Sequence, residues 1–251
     1  MLLSRTWFHR IMEKIINSIL RPFNLQMTRI SKPDQALVNI DFCEEAQDFS
    51  LVLIGAHSGL KTQQFVFEAS LQGKVCLVEP TPHLFAKLQK RWIQNQQVTL
   101  VNKAVYLRDS DEIDFYSMDE SANLHRDYGD QLGSFNPEHA ESHVKDLKQY
   151  VQKISVTGIS LTSLFEEIDC RSIDILFLDT EGYDCMILNS YDFAEIKPKQ
   201  ILFEHKHSDG VNRIGKNFAD LVRHLEKHNY RIQILDDENA LARLLEPSSF
   251  F

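Results

Sequence analysis

Acidic and imidazole side chains are concentrated in two short stretches of the sequence. The apolar run 173–178 is followed by Asp179 and Glu181, and the run 200–203 is followed by Glu204-His-Lys-His207. Carboxylates accept protons and histidine titrates near neutrality, so both stretches hold candidates for general acid–base chemistry. His205 and His207 are candidate catalytic bases on this ground.

Other roles for these side chains remain open. A histidine is often a hydrogen-bonded structural residue, and Glu181 is also placed to cap a helix that begins near Gly182. If the preceding strand continues, Asp179 and Glu181 point to the same side of it. The set could also gather around a cation, but no ligand-spacing motif is present, so no metal is expected.

A glycine-containing turn at residues 53–62 separates an apolar run from a helical pattern. Gly55 lets the chain turn sharply, and Gly59 lets backbone approach a ligand without a Cβ in the way. Glu79 ends the next apolar run, twenty residues past Gly59. Its carboxylate can accept hydrogen bonds from both ribose hydroxyls, so the pattern predicts an adenosine-containing cofactor.

Two cofactors satisfy that logic to different degrees. A dinucleotide such as NAD requires G-x-G-x-x-G, whereas this chain has His57 at the middle glycine, where a side chain would crowd a pyrophosphate. S-adenosylmethionine carries no phosphate and tolerates the looser G-x-x-x-G turn. The sequence therefore favours S-adenosylmethionine over NAD, and Glu79 argues against an ordinary turn without a ligand.

The elements that must position these residues follow an alternating pattern. Strands are predicted at 50–54, 74–78, 98–102, 173–178, 200–203 and 230–235, and helices up to residue 70, at 82–95, up to residue 188 and at 217–227. Such alternation indicates parallel βαβ units in a doubly wound sheet, with ligands at the carboxyl ends of the strands. A polar insertion at about 117–150 is too long for a simple turn and is expected to cover the site.

A set of short motifs occurs in a fixed order along the chain. They are the glycine turn, Val78-Glu-Pro80, Val101-Asn-Lys-Ala-Val105, Leu132-Gly-Ser-Phe135, Ile159-Ser-Leu-Thr-Ser-Leu164, Leu178-Asp-Thr-Glu-Gly182 and Leu202-Phe-Glu-His205. In this order they resemble FkbM-type methyltransferases, over about residues 48–207. The resemblance implies an α/β, Rossmann-like class I methyltransferase domain at 34–251, with a doubly wound, mostly parallel seven-stranded sheet and helices on both faces.

The resemblance also implies an activity and its site. The chain would be an S-adenosylmethionine-dependent O-methyltransferase that methylates a hydroxyl of a carbohydrate or natural product, a small-molecule or glycan acceptor. The implied cofactor-binding residues are Gly55, Ala56, His57, Gly59, Thr62, Glu79, Pro80, Asn102, Ala104 and Asp179. Asn102 would read the adenine edge or serve as a turn residue. Asp179 is the first candidate for acceptor orientation or proton removal, and the implied acceptor-binding residues are Glu181, Glu204, Ser134 and His139.

Two positions depart from the family pattern. Members usually carry Asp where this chain has Leu53, and Asn where it has His57. That Asp helps to place the methionine part of the cofactor. Its absence leaves a second hypothesis, a degenerate, non-catalytic member that serves as a binding or scaffold protein. An NAD-linked oxidoreductase of similar topology is a third.

The charge is divided unevenly along the chain. With 27 basic and 36 acidic side chains the net charge is −9, which argues against a nucleic-acid partner. Residues 1–33 carry six basic and one acidic side chain, a local charge of +5 that leaves −14 on the remainder. Apolar residues at helical spacing over 8–19 predict a basic amphipathic arm, which packs on the domain or a partner subunit, or lies on a membrane surface.

The sequence also bears on the compartment. The four cysteines form no C-x-x-C pair, which indicates a reducing environment. No run approaches the ~18 apolar residues of a membrane span, and charged residues interrupt the N-terminal stretch where a signal peptide would be apolar. We expect a cytoplasmic protein, with peripheral membrane contact or homo-oligomerisation through residues 1–21 as open alternatives.

Overall fold

A computed structural model describes residues 40, 42, 47–121, 133–137 and 149–245 of the chain. In chain order the elements are β1 (Phe49–Ile54), α1 (Gln63–Ser70), β2 (Lys74–Val78), α2 (Pro82–Trp92), β3 (Val98–Val101), β4 (Ala104–Val105), β5 (Ser110–Met118), β6 (Gly133–Ser134), β7 (Val151–Ile159), α3 (Leu161–Glu167), β8 (Ile173–Leu178), α4 (Asp184–Ser190), β9 (Gln200–Glu204), α5 (Lys216–Lys227), β10 (Tyr230–Ile234) and β11 (Asn239–Leu244). The predicted arm at 1–33 and His139 lie outside the described residues.

A seven-stranded sheet has the order β10-β11-β9-β8-β1-β2-β3. The strands from β9 to β3 pair in parallel, and β11 pairs antiparallel with both β9 and β10. The prediction of a doubly wound, mostly parallel seven-stranded sheet is therefore confirmed. The strand pattern missed β11, whose two alanines and terminal asparagine give a weak strand signal.

The two faces of this sheet are covered by different helices. Leu51 and Leu53 of β1 belong to an apolar cluster with α1 and α2, whereas Val52 and Ile54 belong to a second cluster with α3, α4 and α5. Every residue of β1 and β8 is buried, which is typical of parallel strands covered on both faces. The helices on both faces are thus as predicted.

A second sheet of four strands, in the order β4-β7-β5-β6, lies between β3 and β8 in sequence. Its main pairing is the antiparallel ladder of β5 and β7, with Tyr116 opposite Lys153. The sequence patterns did not predict this sheet, because its strands pair across a long insertion and no local turn signal joins them. No helix in the part of the chain described here is both long enough and apolar enough to cross a membrane.

Candidate functional site

The glycine turn joins three strand ends at close quarters. Gly55 has φ +82°, and a Cβ there would lie 1.9 Å from the carbonyl oxygen of Asp179. The N–H groups of Gly55 and Ala56 both donate to the carbonyl of Val78, at 3.0 and 2.9 Å. The turn therefore holds the ends of β1, β2 and β8 together, and position 55 requires glycine for its conformation and for the close approach of β8.

The other two turn positions differ in what they require. His57 has φ +55°, a left-handed conformation that asparagine and histidine adopt more readily than most residues. Gly59 has φ +68°, and a Cβ there would lie 2.7 Å from Leu88 Cδ1 and 3.1 Å from Trp92 Nε1. The space on the Cβ side of Gly59 is thus filled by α2, so packing against that helix also requires glycine at this position.

Glu79 ties the turn to the end of β2. Its carboxylate is buried and accepts two backbone hydrogen bonds, from the N–H of His57 and the N–H of Thr81, each at 2.8 Å. Glu79 also lines the first cleft, where a carboxylate is the group that accepts the hydroxyl donors of a ribose. The side chain predicted to bind the cofactor therefore also fixes the loops on either side of it.

Arg91 of α2 also holds this turn, through contacts that no sequence pattern indicated. Its Nε donates to the carbonyl of Ser58 at 3.1 Å, and its Nη1 donates to Gln63 Oε1 at 2.7 Å. Burial lowers the pKa of the guanidinium. The turn is thus held from α2 as well as from β2.

These elements form the first cleft, at the carboxyl ends of the parallel strands. Its lining contains the predicted residues Gly55, Ala56, His57, Gly59, Thr62, Glu79, Pro80, Ala104, Asp179 and Glu181. It also contains residues that the sequence analysis did not name as contacts, Leu84, Lys103, Val105, Phe115, Phe135 and Thr180 among them. Four of them, Lys103, Val105, Phe135 and Thr180, lie within the motifs quoted above, whereas Leu84 in α2 and Phe115 in β5 lie outside every motif.

Asn102 lies outside that lining. Its Nδ2 donates to the carbonyls of Glu79, at 2.8 Å, and Pro80, at 3.1 Å. The structure therefore gives Asn102 the turn-holding role, the second of the two that the sequence left open. Asn102 thereby fixes the backbone of the segment that follows β2.

A second cleft adjoins the first. Its lining is Phe135, Asn136, Pro137, Glu181, Gly182, Tyr183, Met186, His207, Ser208, Asp209, Gly210 and Asn217. Phe135 and Glu181 line both clefts. Asp179 lines only the first and His207 only the second, so the two candidate bases are separated by Glu181.

The backbone at Glu181 departs from both sequence expectations. Strand β8 ends at Leu178, Glu181 has φ +53° and Gly182 has φ +96°, so strand alternation does not relate Glu181 to Asp179. Helix α4 begins at Asp184, which supplies the acidic side chain of its first turn, so Glu181 is not its cap. A non-glycine residue in a left-handed conformation is a strained position of the kind that functional sites retain.

Ser134, predicted to bind the acceptor, is buried and lines neither cleft. Its Oγ donates to the carbonyl of Glu181 at 3.2 Å and accepts the N–H of Asn136 at 3.2 Å. Ser134 thus fastens the segment 133–137 to the turn after β8. Its neighbour Phe135 is the residue of that segment that reaches both clefts.

Asp184 is a buried carboxylate that the sequence reasoning missed. Oδ1 accepts the backbone N–H of Thr180 at 2.9 Å and also its hydroxyl, and Oδ2 accepts the N–H of Glu204 at 2.7 Å. Burial raises the pKa of this carboxyl to about 6 in spite of these bonds. The side chain of Asp184 therefore joins the ends of β8 and β9. In the sequence, the only indication of a role for Asp184 was its position in the first turn of a predicted helix, where a carboxylate is favoured.

Glu204 and His207 form a pair at the end of β9, with 3.4 Å between Glu204 Oε1 and His207 Nε2. Burial first, and then nearby carboxylates led by Asp184, raise the pKa of Glu204 to about 9. His207 Nδ1 accepts the backbone N–H of Asn212 at 2.8 Å, so the neutral ring carries its proton on Nε2, facing Glu204. In this arrangement His207 orients Glu204 and the 204–212 turn, and neither ring nitrogen presents a lone pair to the second cleft.

His205, the other candidate base, is placed away from both clefts. Its ring is buried, lies 3.3 Å through Nε2 from the carbonyl of Asp236, and packs against Phe218 with ring centroids 5.2 Å apart. Its backbone N–H donates to Glu238. These contacts give His205 the structural role that the sequence analysis kept open.

Two further expectations concern metals and Leu53. Among the described residues no group of three or more histidine, cysteine, aspartate or glutamate side chains is arranged to hold a metal ion. Leu53 is buried in the apolar cluster with α1 and α2 and is absent from the lining of the first cleft. Leucine at this position therefore adds apolar packing and takes no group away from the lining of the cleft.

Comparison with known proteins agrees with the fold and the site described above. The family model described as the methyltransferase FkbM domain matches residues 54–232. A search of curated protein sequences found no match. Three similar solved structures are fibrillarin of Aeropyrum pernix with natively bound S-adenosyl-L-methionine (10% identity, TM-score 0.40, 84% of this chain and 73% of that chain), precorrin-6y C5,15-methyltransferase of Geobacter metallireducens (12%, 0.40, 84% and 85%), and an S-adenosylmethionine-dependent O-methyltransferase of Thermotoga maritima (10%, 0.45, 91% and 71%).

The sheet order and the glycine turn, with the matched family model, define a Rossmann-like class I methyltransferase. The chain belongs to the FkbM methyltransferase family, and its cofactor is S-adenosylmethionine. The first cleft fits that cofactor: Glu79 places in its lining a carboxylate, the group that accepts ribose hydroxyls, and Asp179 and Glu181 suit a cationic sulfonium. The NAD-linked alternative is set aside by the family, and we call the first cleft the cofactor cleft from here on.

Proposed function

We propose that this chain transfers a methyl group from S-adenosylmethionine to a hydroxyl oxygen of a carbohydrate or natural-product acceptor. One observation carries the proposal: a second cleft opens beside the cofactor cleft, and a carboxylate, Glu181, lines both. An alcohol is a poor nucleophile until its proton leaves. A carboxylate at the junction is the group that such an acceptor needs.

Bound S-adenosylmethionine supplies an activated methyl group. The protein's own residues then have to align the acceptor oxygen and accept its proton. We assign proton removal to the carboxylate of Glu181 rather than to Asp179 or His207, because Glu181 lines both clefts and each of the others lines one. Asp179 is assigned to the cofactor, and Phe135 to the exclusion of water at the junction.

The backbone around Glu181 supports this assignment. The left-handed turn at Glu181 and Gly182, the hydrogen bond from Ser134 and the Thr180–Asp184 contacts fix the position of the side chain's Cα from both sides. A base held in one orientation contributes alignment as well as proton transfer, and alignment is the larger part of catalysis between bound partners. The proposed role of Glu181 as the base therefore accounts for its strained backbone conformation.

The experiment uses the purified full chain, isotope-labelled S-adenosylmethionine and a panel of hydroxylated acceptors, with NMR of the product to distinguish methyl on oxygen from methyl on nitrogen or carbon. Glu181→Gln is expected to lower turnover about 10²- to 10⁴-fold. Its affinity for S-adenosylhomocysteine, measured by calorimetry, should stay close to that of the parent, because this product lacks the positive charge of the sulfonium that Glu181 faces. Glu195→Gln, at an exposed position, is the matched control.

Three results would count against the proposal. Methyl on nitrogen or carbon would overturn the hydroxyl acceptor. Binding of S-adenosylhomocysteine without turnover of any acceptor would favour the non-catalytic binding protein instead. Full turnover by Glu181→Gln would remove Glu181 from proton transfer and return Asp179 as the candidate.

A further inference from the structure

The lining of the second cleft divides by chemistry into two groups, which we call its apolar wall and its polar wall. The apolar wall consists of Phe135, Pro137, Tyr183 and Met186; the polar wall includes Glu181, His207, Ser208, Asp209 and Asn217. A ligand that fits both walls must have an apolar face and a polar edge. Because the cleft shares Phe135 and Glu181 with the cofactor cleft, its occupant lies next to the transferable methyl group.

The apolar wall is a rigid group of aromatic rings. Phe135 has its ring centroid 4.6 Å from that of Tyr183, 4.8 Å from that of Tyr106 and 5.1 Å from that of Phe115. Burial raises the pKa of the Tyr183 hydroxyl, which keeps this wall uncharged. These rings pack against one another at interplanar angles of 46°, 55° and 83°, so they present a fixed apolar surface with little side-chain entropy to lose when a ligand ring contacts it.

The polar wall carries acceptor oxygens and negative charge. Asp209 accepts the N–H of Asn217 through both oxygens, at 3.0 and 3.1 Å, and the hydroxyl of Ser208 at 3.2 Å. Burial raises the pKa of this carboxyl, but the hydrogen bonds that it accepts lower it by more, so Asp209 contributes negative charge to this wall. Glu181 adds a second carboxylate. No lysine or arginine stands in the lining formed by the described residues. A ligand there meets groups that accept hydrogen bonds, and it must supply donors.

We infer that the second cleft is the acceptor subsite and selects an uncharged ring with hydroxyl groups at its edge, while rejecting acceptors that carry a carboxylate or phosphate. The inference rests on the proposed hydroxyl methylation and narrows its substrate class. A hydroxyl donates to Glu181, and the ring of the acceptor contacts Phe135 and Tyr183. An anionic group would face two carboxylates without a compensating cation, which disfavours binding by on the order of a hundredfold.

The predicted preference for uncharged acceptors is tested with ligand-observed NMR on the full chain saturated with S-adenosylhomocysteine. The probes are matched pairs of neutral methyl glycosides and the corresponding uronates, over several ring configurations, together with a neutral polyhydroxylated aromatic compound. Neutral probes are expected to bind at least about tenfold more tightly than their anionic partners. Comparison of the sugar probes with the aromatic probe shows which kind of hydroxylated ring the cleft prefers.

Two pairs of variants locate the effect in the second cleft. Tyr183→Leu should weaken ring binding by about tenfold or more, since it removes an aromatic ring from the apolar wall, whereas Tyr183→Phe retains the ring and should bind more tightly than Tyr183→Leu. Asn136→Lys places a cation in the lining and should shift preference toward uronates, and Asn136→Gln is its uncharged control. Unchanged affinity for S-adenosylhomocysteine verifies that each variant is folded.

The outcomes separate this inference from the proposed function. Equal binding of neutral and anionic probes, binding by no member of the panel, or binding that is indifferent to Tyr183→Leu would overturn the inference while leaving oxygen methylation intact. Selective binding of neutral rings together with methyl transfer to nitrogen or carbon would overturn the proposed function and leave the subsite in place.

Discussion

The two clefts that meet at Glu181 are built from different parts of the chain. The cofactor cleft is shaped by backbone: left-handed residues at 55, 57 and 59, with a buried glutamate that accepts two backbone N–H groups. The second cleft is shaped by side chains, from aromatic rings on one wall to carboxylates on the other. Backbone-shaped sites tolerate few substitutions, whereas side-chain-shaped sites can change ligand without changing fold. The difference explains how one fold can keep its cofactor and vary its acceptor.

The largest effect is expected for Gly55→Ala in the cofactor cleft. The added Cβ would lie 1.9 Å from a backbone oxygen of Asp179, which cannot move without displacing β8. The cost should exceed ~4 kcal/mol and abolish binding of S-adenosylhomocysteine. Urea unfolding measures this loss of stability.

Gly210→Ala is the control. At Gly210 φ is +116°, but no atom lies within 4 Å of the new Cβ, so about 1–3 kcal/mol is expected from backbone strain alone. Equal losses in the two variants would contradict the steric argument.

Glu79→Gln should have the next largest effect. An amide NH₂ would face the N–H of either His57 or Thr81, leaving a buried donor without an acceptor. Stability should fall by about 1–3 kcal/mol, with weaker binding of S-adenosylhomocysteine in calorimetry. Glu120→Gln, at an exposed position, serves as the control. If Glu79→Gln kept full cofactor affinity, the backbone account of the cofactor cleft would be wrong.

Near the second cleft, Glu204 should make stability depend on pH. Burial raises its pKa from the ordinary 4.5 to about 9, so over this range the folded chain holds a proton that the unfolded chain has released. The stabilisation is therefore complete below the unfolded pKa and is lost as the pH rises through the folded one. Glu204→Gln should flatten this decline in urea unfolding at pH values between 4.5 and 9. An identical slope in the variant and the parent would show that Glu204 titrates normally.

The smallest effect is expected for His57→Asn. Asparagine accepts the left-handed φ of +55° as readily as histidine, and the hydrogen bond to Glu79 comes from the backbone. Stability should stay within about 0.5 kcal/mol of the parent. His57→Val, which is β-branched and disfavours that φ, should instead cost about 1–3 kcal/mol and weaken S-adenosylhomocysteine binding. A large loss of S-adenosylhomocysteine affinity in His57→Asn, with stability retained, would show that the imidazole itself binds the cofactor.

Much of the cofactor cleft could be predicted from the sequence, whereas little of the second cleft could. Gly55 and Glu79 were identified because a left-handed turn and an acidic strand end leave signals within a few residues. His205 and His207 looked equivalent, two residues apart. The first is buried against Phe218 and the second faces the second cleft, because β9 ends at Glu204 and the chain turns there.

The sequence by itself determined the alternation of parallel strands and helices, the glycine turn and the family. Side-chain periodicity and backbone sterics act over a few residues, so they can be read locally. Only the tertiary structure decided that β5 pairs with β7, that Asp184 joins the ends of β8 and β9, and that Glu181 stands between the two clefts. These contacts join segments distant in sequence, and strand order in the folded sheet, rather than any local pattern, brings them together.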